Sequence, residues 1–457
     1  MPSKVAIIFL SPAMPSAVLL YGIIFGFALW SYLGWPWLRS DTITLYLATS
    51  VWAVAAIVRR QRITGFSLSR LDVVFCAFLL VVLGSIATHW WDGTARYVEI
   101  LPCFFVLPFA LGRMMNVRDV MLFQNILLGM GGILLLLLPI EYRRNLSFAS
   151  GDSVHPYLIL FGQPHGAMLS NIVFSSTLVA LVSLLVLLSA SHGADGRKEK
   201  WRRFFGYMMV ALVIASMAWI SNRGAVLIAV LGVMGVLLVS SYCEWRRRVA
   251  VLLYVSLFVV VAFLWGSQDD FKRKHYWDLL QSPTDMRDVS GEELSAQARS
   301  QGDGQSILAD SSCAHLRAMS LTDSVATRWT LYRAGWDMFR ANPWSGVGAN
   351  SYGFYLCGNR GWHPHSTILQ VLSELGVLGG LVYFTMVGMA FGVLGRRCLL
   401  PAAVCVKAGM GWVLAFTVMQ FAMAQLYGNY FVSASLYFVV GLAASFQSDA
   451  EGKRRLA

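Results

Sequence analysis

The sequence predicts an all-α integral membrane protein of about twelve transmembrane helices, with one large extracytoplasmic loop between the ninth and tenth. Three observations lead there. The 457 residues are 57% hydrophobic and only 13% charged, with a mean hydropathy of +0.60; soluble domains are about 45–50% apolar and about 25% charged. The apolar residues are gathered into runs near the roughly 20 residues that cross a hydrocarbon core. The basic clusters between those runs fall on one side when the runs alternate in direction.

The runs lie at 14–34, 42–58, 72–90, 99–115, 119–140, 166–190, 204–221, 224–243, 249–266, 368–395, 403–425 and 429–446. With the N-terminus in the cytoplasm, five clusters come out inside: Arg59 to Arg62, Arg197 to Arg203, Arg246 to Arg248, Arg396-Arg397, and Lys453 to Arg455. Both termini are then cytoplasmic. The first apolar segment is continuous and reads as a retained span rather than a cleaved signal. The net charge of +12 is what such loops require, so it carries no argument for nucleic acid. The 16 Trp and 17 Tyr suit interfacial belts beside membrane lipids.

Four regions follow. Residues 1–203 hold six spans, and 204–266 hold spans seven to nine. The external loop covers 267–365, and 366–457 hold the last three spans and a cytoplasmic tail. Residues 267–363 contain 11 acidic and 10 basic side chains. A loop of that length usually carries function. Its first part, near 283–306, is polar and rich in Gly and Ser. Its second part is periodic: Val325, Trp329, Tyr332, Trp336 and Phe339 recur at helical spacing. That predicts an amphipathic helix over 324–341, stopped by Asn342-Pro343, lying on the membrane or on the tops of other spans. Arg328 falls on one margin of the aromatic stripe, Arg333 and Arg340 on the other. Cys313 and Cys357 are the loop's two cysteines, and an oxidising compartment allows them either to pair or to remain free thiols.

Two positions stand out chemically. Arg223 lies in the turn Ser221-Asn222-Arg223-Gly224 on the external side, against the positive-inside trend. It reads either as an arginine snorkelling to a headgroup or as a clamp whose planar fork fits phosphate oxygens. His365 lies in Trp362-His363-Pro364-His365-Ser366, at the mouth of an apolar segment. Ser366 is placed to cap the following helix. The positive end of that helix is expected to lower the pKa of His365 and hold it neutral, able to accept a hydroxyl proton. The bland reading is a histidine bonded to a loop carbonyl. His363 and His365 lack companions at ligand spacing, so no metal site is expected.

These residues also form a pattern. His365-Ser366, nine residues, then Gly376-Val377-Leu378-Gly379 resembles the signature of the O-antigen ligase and polymerase superfamily. The stretch NPWSGVGANSYGFY, with Gly346 and Gly348, resembles the glycine element that precedes it. SNRG and TRWTLYRAGWDMF resemble the family's arginine turn and arginine-led helix. The resemblance covers roughly 204–395. It implies a GT-C-like glycosyltransferase of the bacterial inner membrane, with its active site on the periplasmic side and no cofactor. The donor would be a glycan on undecaprenyl pyrophosphate. The acceptor would be lipid A-core for a ligase, or another lipid-linked glycan for a polymerase. A protein O-glycosyltransferase ranks third, because such members often carry a further C-terminal domain. The resemblance implies His365 as general base and Arg223 and Arg328 as diphosphate clamps, with Arg333 a less certain substitute and His363 in support. A transporter, the competing class, fits poorly, since the long connection is external and the two halves show no repeat.

Overall fold

The computed structural model describes residues 68–89, 101–116, 119–129, 177–184, 197–219, 223–239, 324–357, 363–399, 404–427 and 433–456, with isolated positions elsewhere. The expected spans at 14–34, 42–58 and 249–266, the stretch 283–306 and Cys313 lie outside these residues. Every regular element among the described residues is helical, with no strand among them. Three of their helices are long and apolar enough to cross a membrane.

The labelled helices are α1 (Arg70–Thr88), α2 (Leu107–Arg113, after a π turn at Pro102–Val106), α3 (Arg197–Trp219), α4 (Arg223–Val239), α5 (Ser324–Ala341), α6 (Tyr352–Cys357), α7 (Thr367–Leu399), α8 (Val404–Tyr427) and α9 (Ala434–Leu456). Residues 119–129 and 177–184 are also helical. The apolar runs located these helices to within a few residues. The ends differ where polar residues continue a helix past the hydrocarbon: α3 begins within the basic cluster at Arg197, and α9 runs on through the basic tail to Leu456.

Helix α1 starts where Ser69 and Asp72 bond each other's backbone amides in a capping box, which satisfies two amides that a helix start leaves open. Asp72 also accepts from Arg113 Nε at 2.9 and 3.2 Å. At the same end, Leu71 N–H donates to Gln447 Oε1, Ser445 Oγ donates to the Met115 carbonyl, and Arg397 donates to the Phe446 carbonyl. One end of α1, α2, α7 and α9 is thereby tied together. Their middles meet in an aromatic core in which Phe75 stacks on Phe109 at 3.8 Å and Phe105 on Tyr437 at 4.4 Å. Helices α2 and α9 approach closely because Gly112 and Gly441 each sit against a carbonyl of the other helix, the small-residue packing common between helices in membranes.

Helix α7 is not the single continuous span expected over 368–395. Gly376 has φ 64° and ψ −163° and divides it into 367–375 and 377–399. The bend brings Leu375 against Gly379 and Leu372 against Gly380. In a straight helix, positions eight apart are about 12 Å apart along the axis, so the first piece folds sharply over the second. The second piece is about 34 Å long at 1.5 Å per residue, enough to cross the bilayer by itself.

The loop helix occupies Ser324–Ala341, the residues its periodicity predicts, and the face it packs on its neighbours is not the aromatic stripe. The buried side chains are Thr327, Leu331, Ala334 and Met338, whereas Trp329 is 61% and Trp336 44% exposed. The reason is steric. Gly335 lies against Leu369 and Tyr352, and the Tyr352 hydroxyl donates to the Leu331 carbonyl at 2.5 Å. So close an approach admits small and aliphatic residues and leaves the indoles outside.

Candidate active site

A break in a helix leaves amides and carbonyls without partners, and where they are buried each must be satisfied by protein. The glycine loop after α5 does this for Gly376. Val347 N–H donates to the Ser373 carbonyl at 2.9 Å, Gly348 N–H donates to the Glu374 carbonyl at 3.0 Å, and Val377 N–H donates to the Pro343 carbonyl at 2.7 Å. Gly346 and Gly376 both have positive φ. A side chain at Gly346 would overlap the Glu374 backbone, and one at Gly376 the Trp344 carbonyl. The glycines at 346, 348 and 376 thus form one device, a loop docked into a helix break. Gly379 gives the folded-back Leu375 its space.

Beneath the loop lies Glu374, fully buried. Its Oε2 accepts from Asn350 N–H at 2.5 Å and Tyr430 Oη at 2.9 Å. Its Oε1 accepts from Tyr352 N–H at 3.3 Å and Gln370 Nε2 at 3.1 Å. All four partners donate. Asn350 holds the loop at φ 57°. Sequence reasoning passed over Glu374, although a lone carboxylate inside an apolar run marks a site by default. Glu374→Gln is expected to lower stability by about 2 kcal/mol. Either orientation of the amide sets its NH2 against a backbone N–H, which cannot turn to accept. A melting temperature equal to that of the native protein would contradict this.

The histidine mouth sits at the start of the first piece of α7. Ser366 Oγ accepts from Leu369 N–H at 3.4 Å, the capping that its position predicts. A second cap comes from α8, where Gln425 Oε1 accepts from Ile368 N–H at 3.1 Å and Ser366 Oγ at 3.3 Å. His365 itself has φ 49°, a left-handed conformation uncommon outside glycine and concentrated at functional sites. Its Nδ1 is buried without a hydrogen-bond partner, and its ring centroid lies 4.3 Å from that of His363. The pKa of His365 is lowered from 6.5 to about 3. Burial is the main cause, followed by the neighbouring His363 and the Arg328 guanidinium. The lowering has the direction read from the sequence, but its leading cause is desolvation, since the ring is sunk at the mouth.

Arg328, half-buried on the flank of α5, therefore shares an electrostatic neighbourhood with His365. Arg333, five residues on and about 140° around the helix, lies on the exposed face, near Asp337. Arg223 opens α4; its side chain lies outside the described residues. Its backbone can be located by register. Gly235 meets Ala415, and Gly232 meets Ala415 and Met419, so α4 and α8 are antiparallel. Continued to the end of α4, that register brings position 223 level with about residue 427, two residues from the Gln425 that caps the histidine mouth. Cys357 closes α6; its side chain, like Cys313, lies outside the described residues.

One more residue missed in the sequence joins this end. His89, just past α1, lies against Gly348, and Ala349 N–H donates to Ser85 Oγ at 2.9 Å. The His89 Nδ1 is 3.2 Å from the Ser85 carbonyl. The signal that singled out His365, an ionisable ring at the mouth of an apolar run, applies equally to His89.

The arginine turn, α5, the docked glycine loop and the histidine mouth thus follow one another within a single stretch of chain. Residues 208–384 match the model of one family, described as O-antigen ligase. That stretch of the chain is similar to the O-antigen ligase family. The match takes in Arg223, Arg328, Glu374, His365 and the broken helix as far as Phe384. No curated protein matches the chain. Activity of the O-antigen ligase or polymerase type, on lipid-linked glycans, is what this similarity suggests, in a protein of membrane-spanning helices.

Proposed function

We propose that this protein transfers a glycan from undecaprenyl pyrophosphate to a sugar hydroxyl of lipid A-core, as an O-antigen ligase of the bacterial inner membrane working on the periplasmic side. The observation that carries the reading is His365: a strained, mostly buried imidazole, held neutral beside Arg328, within the stretch that matches the family.

The acceptor hydroxyl oxygen attacks the anomeric carbon of the donor glycan from the side opposite the diphosphate. Its proton passes to His365. The bond from the anomeric carbon to the diphosphate oxygen breaks, and the diphosphate leaves with the electron pair, so the configuration inverts. Arg328 and Arg223 meet the charge that develops on the leaving oxygens, where fixed cations act most strongly. With the site empty, burial and Arg328 make His365 a weak base. A bound diphosphate brings negative charge beside the ring and offsets Arg328, lifting the imidazole toward the range where it accepts a proton well. His363, in ring contact, supports the base.

Purified protein, a synthetic lipid-pyrophosphate donor and two acceptors test this directly. Transfer to lipid A-core and not to a lipid-linked repeat means ligase; the reverse means polymerase; transfer to neither rejects both. Arg328→Gln is expected to slow transfer about 100-fold, mostly in kcat, because the guanidinium is needed as charge develops. A change confined to KM would argue that Arg328 only binds.

A further inference from the structure

The outer face of α5 has no part in the mechanism above, yet it is the least expected surface among the described residues. Trp329, Arg333, Trp336 and Arg340 succeed one another at helical spacing on the side away from the buried Leu331 and Met338. Arg340 lies over the Trp336 ring at 5.4 Å. Trp344, 76% exposed, extends the row beyond the helix.

That row continues into a span. Trp344 lies at the helix break against Gly376, and the Pro343 carbonyl holds Val377 N–H. From there Leu378 and Leu381, 59% and 64% exposed, run down the apolar second piece of α7. An exposed leucine strip on a membrane-crossing helix faces acyl chains. The surface immediately above it, at the end of the same strip, lies at headgroup depth. Its residue types change accordingly, from leucine to tryptophan and arginine, as an interface requires. The charge fits as well. Arg333 and Arg340 flank Asp337, whose own pKa is raised by burial and lowered in part by those two arginines, so the face is cationic.

We infer that the outer face of α5 is a lipid-binding surface, with Trp329, Trp336 and Trp344 seated at the boundary of headgroups and acyl chains and Arg333 and Arg340 on phospholipid headgroup phosphates. The helix thereby has two sides, Arg328 toward the catalytic mouth and Arg333 and Arg340 toward the surrounding leaflet. The inference rests on geometry and not on the reaction, so it stands or falls apart from the transferase reading.

The test uses the full-length protein in vesicles of phosphatidylethanolamine and phosphatidylglycerol, with bromine near the headgroup end of the acyl chains as one quencher and aqueous iodide as the other. The fluorescence that disappears in W329F/W336F/W344F is the signal of this face. Preferential quenching of that component by the brominated lipid supports the surface. Quenching by iodide alone means the face is open to water and overturns it. Quenching by neither means that protein covers the face, which also overturns it. R333Q/R340Q provides a second reading without touching the indoles. It is expected to lose phosphatidylglycerol retained through detergent extraction, and native retention would refute the phosphate contacts.

Discussion

Replacement of His365 by alanine is expected to abolish most glycan transfer, by about 10²–10⁴-fold, the usual contribution of a positioned general base. The loss should come without unfolding. His365 sits in a left-handed conformation with Nδ1 buried and unpaired, so the native ring itself costs the fold about 1–3 kcal/mol. His365→Asn makes the comparison cleaner, because asparagine tolerates that backbone and cannot serve as the base. Equal transfer rates for His365→Asn and the native protein would remove the base from the mechanism. The pH profile adds a second arm. With its pKa near 3 through burial, His363 and Arg328, the free enzyme keeps this ring neutral far below pH 6.5. The acid limb of kcat/KM, which reports the free enzyme, is therefore expected near 3, and that of kcat, with the diphosphate bound, at higher pH. Arg328→Gln should raise the kcat/KM limb, since the lost cation had been lowering it. Linkage follows in sign. The unfolded chain takes up this proton first, so the ring withdraws stability as pH falls from 6.5 toward 3.

Gly376→Ala carries the largest expected cost in stability, about 3 kcal/mol, from a conformation that only glycine adopts readily together with overlap on the Trp344 carbonyl. The control lies in the same helix. A side chain at Gly388 meets nothing within 4 Å, and Gly388→Ala is expected to be neutral or to stabilise by up to about 1 kcal/mol. Thermal unfolding of both variants in one lipid system separates the two outcomes. If Gly376→Ala melts with Gly388→Ala, the docked loop is not what holds the break.

The glycine pattern and this cost are connected. Gly346, Gly348 and Gly376 were legible as a motif, but their meaning was not. The spacing from 346 to 376 says nothing of the hydrogen bonds by which 347 and 348 occupy carbonyls at 373 and 374. Glu374 was overlooked for a similar reason. Its donors come from 350, 352, 370 and 430, and only chain folding brings them to one carboxylate. His89 belongs to an early span that the motif does not reach, and it joins the site through its approach to Gly348.

The sequence by itself determined most of the described helices, because a period of 3.6 and a run of apolar residues are properties of one segment and its solvent. It determined α5 over 324–341 to the residue, the capping of α7 by Ser366, and the pairing of His365 and Arg328 as residues to watch. The tertiary structure decided which face of α5 packs, that α7 is broken and refilled by a loop, and that burial outranks the helix end in keeping His365 neutral. Periodicity defines a face, but contact distance chooses its partner. Where α5 meets Leu369 and Tyr352 there is room for Ala334 and Gly335 and none for an indole.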